Sequence, residues 1–324
     1  MLIPGRWITT ALIISFVAVM LLMHVAKLSM DFANPLGDIL TMTVLLGGAA
    51  RIALRNPRGP GERIACDTID HCGLFALVSL LGAVASYPVA ALSRGYADAE
   101  LAHLDHLLHF DWRGWYGIVA DHPLLQRLGR LAYDSIFVTP AALLVAYTYD
   151  RRKAEARLFI ASFWLAALVT LLLFPLAPAE GPLGFLWHGP IPYMPTSALY
   201  QANLLPALRE HRLHVIPIDA LHGLVCTPSF HTTSAFLYMA AAWPVRRLRW
   251  PLLAINLLML LATPVEGTHY LADMIMGALV AIATLAIMNL GLRLLPASPP
   301  VASDPASEAR PGMIGFRPRP SELL

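Results

Sequence analysis

Long apolar runs separated by short polar segments, several of them basic, set the pattern of this chain. A helix needs about 20 apolar residues to cross the hydrocarbon core of a bilayer. Runs of that kind lie near 7–26, 36–50, 73–93, 131–149, 158–177 and 270–292. Two shorter runs, near 229–243 and 252–264, abut Pro244, Pro251 and Pro264, where helices tend to break. With both included, the pattern predicts about eight membrane helices in an all-α bundle. The first run is followed directly by Lys27 and lacks a small-residue cleavage site, so it reads as a span rather than a secretory leader.

Lys and Arg in short loops fix orientation. Arg51, Arg55, Arg58 and Arg63 form one basic segment, Arg151, Arg152, Lys153 and Arg157 a second, and Arg246, Arg247 and Arg249 a third. All three fall on the cytoplasmic side if the chain has eight spans and starts inside. The segments near 94–130, 178–228 and 264–269 then face outward. Short loops of this kind suit a multi-pass protein of a bacterial inner membrane whose outer segments meet the periplasm. Residues 1–295 read as one membrane-embedded domain, and the Pro-, Ser- and Ala-rich stretch 296–324 as a disordered tail.

Composition strengthens the membrane reading: 57% of the 324 residues are hydrophobic and 14% charged, against about a quarter charged in soluble domains. Mean hydropathy is +0.61. A net charge of +2, with the basic residues in separate clusters, gives no footprint for nucleic acid. Cys66, Cys72 and Cys226 are too few and scattered for a disulfide framework and read as ordinary thiols. Leu101, Leu104, Leu108, Trp112 and Trp115 recur at helical spacing within 98–115, which predicts one interfacial helix with its acids and histidines on the other face. His103, His106 and His109 drift round such a helix and make a headgroup-facing stripe rather than a metal site.

Chemistry is concentrated in two places. Pro228-Ser229 is a helix start with Ser229 as N-cap, and His231 falls in the first turn. Partial positive charge and unpaired N–H groups make such a start a seat for phosphate. In Glu266-Gly267-Thr268-His269-Tyr270-Leu271-Ala272-Asp273, His269 and Asp273 stand four apart, so on a helix the carboxylate can hold one imidazole nitrogen and leave the other free. Ionisable groups are costly in a membrane segment, and two histidines and an aspartate at one face point to catalysis.

Pro228-Ser229-Phe230-His231 followed by His269-x-x-x-Asp273 resembles the second and third signature motifs of the type 2 phosphatidic acid phosphatase superfamily. Gly267-Thr268-His269-Tyr270-Leu271-Ala272-Asp273 is similar to the third motif of its inositol phosphorylceramide synthase-like branch, and Phe110-Asp111-Trp112, Tyr133-Asp134-Ser135 and Phe174-Pro175-Leu176-Ala177-Pro178 look like further branch features. The resemblance is strong over about 205–290. It implies a six-helix core preceded by additional helices, and phosphoryl transfer through a phosphohistidine without cofactor or metal. The substrate would be a lipid phosphate or phospholipid, with water or an alcohol as acceptor. By that pattern His269 is the nucleophile, Asp273 its orienting partner, His231 the acid for the leaving group, and Ser229 a donor to phosphate oxygen.

The chain departs from the founding phosphatases in lacking their first motif and in carrying Thr263 where an arginine precedes the nucleophile. Thr263 therefore stands at a substrate-binding position, and the missing positive charge has to come from elsewhere. Arg209 and Arg212, in Leu208-Arg209-Glu210-His211-Arg212, are the candidates, Arg209 first because a similar Leu-Arg pair precedes the second motif in many relatives. The competing class is a transporter or structural membrane protein that uses the same His and Asp residues as a proton relay or as interhelical hydrogen bonds.

Overall fold

The computed structural model of the chain describes residues 5–294; the predicted tail, 296–324, lies outside them. Twelve α-helices follow in order among the described residues: α1 (Gly5–Val25), α2 (Pro35–Ala53), α3 (Pro60–Leu92), α4 (Asp98–Leu107), α5 (Trp112–Ala120), α6 (Pro123–Tyr149), α7 (Lys153–Leu173), α8 (Pro182–Leu186), α9 (Tyr200–Arg209), α10 (Phe230–Ala242), α11 (Arg246–Glu266) and α12 (Leu271–Leu294). The only strands described, β1 (Ser29–Asp31) and β2 (Val215–Pro217), pair in parallel with Ser29 opposite Val215. They tie the α1–α2 connection to the segment between α9 and α10.

Seven helices, α1, α2, α3, α6, α7, α11 and α12, are long and apolar enough to cross a membrane. The predicted eighth is α10, whose 13 residues rise only about 20 Å, short of a hydrocarbon core about 30 Å thick. The approach to α10 is buried. Leu224, Cys226, Thr227 and Ser229 are fully buried, so the chain descends into the bundle before this helix begins, and α10 packs there against α6, α7, α11 and α12.

Two expectations about breaks are corrected. Helix α11 runs without interruption through Pro251 and Pro264, because a membrane helix tolerates proline where neighbours take up the freed backbone groups. The carbonyl oxygen of Pro264 itself, in the last turn, accepts from Trp112 Nε1 at 2.7 Å and from the His269 N–H at 3.2 Å. Conversely, the single interfacial helix expected over 98–115 is two helices. His109, at φ 58°, turns the chain between α4 and α5. Its acids are not on the outer face either: Asp98 and Asp105 are buried, while Leu104, Leu107 and Leu108 are exposed.

The helix ends sort by chemistry. One end of the bundle collects Arg51–Asp70, Lys153–Asp67 and Arg247–Asp150 ion pairs. The other holds both histidine motifs. The paired segment β1–β2 lies at this second end, next to the start of α2.

The start of α10 packs tightly on α12 at Gly277. A Cβ there would collide with the carbonyl oxygen of Ser229, and Thr233 Oγ1 donates to the Gly277 carbonyl at 2.9 Å. Gly277→Ala is expected to lower stability by about 1–3 kcal/mol through overpacking, read as a drop in melting temperature in detergent. A melting temperature equal to wild type would show that the contact yields.

Candidate active site

His231, His269 and Asp273 come together from three local devices. Ser229 N-caps α10, its hydroxyl oxygen accepting the Thr232 N–H at 3.4 Å, and this places His231 in the first helical turn, as the sequence predicts. On the far side, α11 ends and the chain passes through Gly267 and Thr268 to His269. Thr268 adopts φ 49°, a left-handed conformation costly for a β-branched residue. It is held by its N–H on the Val265 carbonyl at 3.1 Å and by Ser197 Oγ at 3.2 Å from its Oγ1. Gly267 has no alternative: a Cβ there would stand 2.5 Å from His269 Cδ2 and 3.0 Å from the Tyr133 hydroxyl.

His269 Nδ1 and Asp273 Oδ1 are 3.0 Å apart, both side chains buried. Neither atom has another hydrogen-bonding partner among the described residues, so each has only the other. The second carboxylate oxygen of Asp273 accepts the Tyr270 N–H at 3.0 Å and faces Cys226 Sγ at 3.6 Å. The main chain closes the arrangement, the Ser229 N–H donating to the Asp273 carbonyl at 3.1 Å. His231 and His269 stand with ring centroids 6.4 Å apart. Tyr133 backs His231, stacked at 3.9 Å with its hydroxyl 3.1 Å from Nδ1. Nε2 is left as the ring nitrogen for a substrate.

A buried frame of acids supports this loop. Asp105 of α4 accepts the N–H groups of Leu271 and Ala272 at 3.0 and 2.8 Å, capping α12 from outside. Asp98 takes the N–H groups of Glu180 and Gly181, each at 3.0 Å, and the Tyr270 hydroxyl at 2.9 Å. Burial raises both carboxyls above their ordinary range, against the pull of those donors. Glu266 pins the segment before α9: its oxygens accept from the Tyr193 hydroxyl at 2.5 Å and from Thr196 N–H and Oγ1 at 2.9 and 2.8 Å. Burial, reinforced by Glu266, pushes the Tyr193 phenol up to about 12, so it remains a donor.

The remaining predicted site residues are placed differently. Arg209 donates from Nη2 to Ser93 Oγ at 2.8 Å and lies 4.5 Å over the Tyr96 ring, while its buried Nε has no partner among the described residues. Arg212 is paired at 2.6 Å with Glu210 on the surface. Thr263 is fully buried and donates its hydroxyl to the Met259 carbonyl at 2.7 Å, so its side chain has no proton left for a ligand. None of the three has a recorded contact with His231, His269 or Asp273.

All three cysteines are free thiols, as the sequence reading has them, but the sequence does not show where Cys226 lies. It is buried against Asp273, and with His269 these two form the one set of three metal-type donors within 4.8 Å among the described residues. Burial pushes the Cys226 thiol well up, so a soft cation would have to displace a firmly held proton. His103, His106 and His109 are exposed and gather no such set. Tyr133 was flagged only as part of a short motif, and Glu266, Asp98 and Asp105 carried no signal, because their partners lie far away in sequence.

Long apolar helices with two histidines and an aspartate clustered at one end are the features of a membrane phosphatase-type protein. The family model described as the PAP2 superfamily matches residues 99–287, more than half of the chain, and the chain belongs to that superfamily. The matched stretch reaches well beyond the strong resemblance over 205–290, taking in α5 to α11 and most of α4 and α12, and leaves α1–α3 outside. No curated protein and no solved structure matches the chain.

Proposed function

We propose that the chain is a lipid phosphatase or phosphotransferase of the inositol phosphorylceramide synthase-like kind, working through phosphohistidine at the extracytoplasmic face. The observation that carries this is the His269–Asp273 contact at 3.0 Å with the His231 ring centroid 6.4 Å from that of His269. His269 Nε2 attacks phosphorus, the bond to the lipid oxygen breaks, and that oxygen takes a proton from His231. Water or a second alcohol then attacks the phosphohistidine, gives its proton to His231 and frees His269. Asp273 holds the Nδ1–H tautomer and stabilises the cation that forms on the ring. Ser229 lies at the start of α10, where hydroxyl and backbone N–H groups meet phosphate oxygens.

Arg209 is the first choice for the positive group that phosphoryl transfer requires. Its Nε is buried and unpartnered. Its charge also acts on Glu180, which precedes Gly181, and Gly181 packs against the Thr268 carbonyl. Arg212 then serves at the rim, and Thr263 through its carbonyl, which accepts the Gly267 N–H at 3.0 Å. Arg209→Gln is expected to lower kcat/KM by about 10–100-fold, the worth of one charge-assisted hydrogen bond. Unchanged kinetics would remove Arg209 from the site.

The eleven Lys and Arg residues at 51–63, 151–157 and 246–249 all fall at the end of the bundle opposite the histidines, which supports an outward-facing site under the positive-inside rule. The position of His231 and His269 at helix ends, rather than at mid-span, favours chemistry over a proton relay. Purified protein incubated in detergent with lipid phosphates, phospholipids and a chelator tests the proposal. Free phosphate identifies a phosphatase, and a new phospholipid without phosphate release a transferase. No product from the whole panel would overturn the enzymatic reading.

A further inference from the structure

A cavity of about 620 Å³ opens at the basic end of the bundle, away from both histidines, where the last turn of α2, the connection to α3 and the first turns of α3 and α7 meet. Its lining includes Arg51, Arg55, Arg63 and Lys153 against Asp67 and Asp70, an excess of two positive charges over these six. Arg51 is paired with Asp70 at 2.7 Å and Lys153 with Asp67 at 2.8 Å. Cys66 Sγ donates to the Leu54 carbonyl at 3.1 Å and fastens the connection to α3. The acids are therefore consumed, and the guanidinium groups of Arg55 and Arg63 are exposed without a partner among the described residues.

The neighbourhood of the cavity says what kind of anion it suits. Helix α2 is long and apolar enough to span, yet only 6% of its apolar window is buried. Along it Ile39, Met42, Leu45 and Ile52 stand exposed, Ile52 at 70% one residue after Arg51. An apolar, lipid-facing helix thus runs directly to the mouth of a basic cavity at the membrane boundary. A molecule with a phosphate head and acyl tails fits both parts at once, and a soluble anion only the first.

We propose that this cavity binds the phosphate of an anionic phospholipid in the leaflet opposite the catalytic site, with Arg55 and Arg63 as its ligands and the acyl chains along α2. Arg51 and Lys153, held by their acids, shape the walls. All of the lining except Lys153 precedes residue 99, where the family match begins, so the site belongs to the added N-terminal helices and not to the phosphatase core.

The test is thermal unfolding of the full chain in a neutral detergent, which reads binding without turnover and so stands apart from the fate of the proposed activity. Phosphatidylglycerol is expected to raise the wild-type melting temperature by a few degrees, and phosphatidylcholine to leave it unmoved. Arg55→Gln with Arg63→Gln should weaken the response about tenfold or more in lipid concentration, since each basic residue near an anionic surface contributes appreciably. Arg55→Lys with Arg63→Lys should keep most of it. Lipid bound at the histidines would stabilise wild type and the glutamine variant alike, so an equal shift in both overturns the proposal, as does no shift in wild type. An equal shift from inorganic phosphate would overturn the lipid assignment. If the double glutamine variant fails to fold, Arg55→Gln alone carries the test, because Arg55 is exposed in a connection.

Discussion

His269→Ala is expected to reduce phosphate release from a lipid phosphate by about 10⁴-fold or more, the scale seen when a covalent nucleophile is removed from a catalytic unit. No other described residue can take its place. His231 faces the site from α10 with its Nδ1 engaged by Tyr133, and the Cys226 thiol is buried against Asp273 and holds its proton. Alanine removes the one imidazole whose Nδ1 sits 3.0 Å from a carboxylate and leaves that buried oxygen without a partner, so the melting temperature should fall. The collapse of kcat is therefore measured well below the melting temperature of the variant. Rapid quenching of wild type with radiolabelled substrate should trap acid-labile label on the protein, and the variant should trap none. Full turnover by His269→Ala, or label that persists in it, would rule out phosphohistidine chemistry at this residue.

Asp273→Asn should lower kcat by about 10²–10⁴-fold, toward the upper end if tautomer control dominates, as in triads where an asparagine replaces the orienting aspartate. The two oxygens of Asp273 do separate work: Oδ1 faces His269 Nδ1 at 3.0 Å and Oδ2 accepts the Tyr270 N–H at 3.0 Å. An asparagine has one acceptor atom. With its oxygen toward Tyr270, its NH₂ meets His269 and turns the ring to the wrong tautomer; with its oxygen toward His269, an amide hydrogen opposes the Tyr270 N–H at the start of α12. Both orientations also remove the negative charge that stabilises the imidazolium. The loss should appear in kcat with KM little changed, because Asp273 touches the nucleophile and not the lipid. A KM effect with normal kcat would assign Asp273 to substrate binding instead.

The helical membrane fold was legible from periodicity and length, since crossing a bilayer demands a continuous apolar run whatever the neighbours do. Its exceptions have local causes visible only in three dimensions. Pro264 does not end α11, and its carbonyl is taken by two groups far off or beyond the helix, Trp112 Nε1 and the His269 N–H. Helix α10 is short because a buried loop precedes it. The two signature motifs were equally legible: a cap before His231 and a four-residue interval between His269 and Asp273 are properties of the chain within one or two turns.

What the residues around those motifs do depends on how helices are rotated and packed against one another, and no interval in the sequence encodes that. Asp105 lies 166 residues from the Leu271 N–H that it accepts, and Tyr133 lies 98 from His231. Cys226 reads as an isolated thiol until α12 brings Asp273 beside it, and Arg209 and Arg212, three positions apart in the chain, part company once one turns to Ser93 and the other to Glu210. Span, cap and helical spacing are short-range matters of hydrogen bonding and hydrophobic length, set by consecutive residues. The partners of a buried polar group are chosen by the close packing of distant helices, in which each unpaired donor or acceptor must find whatever neighbour the fold presents.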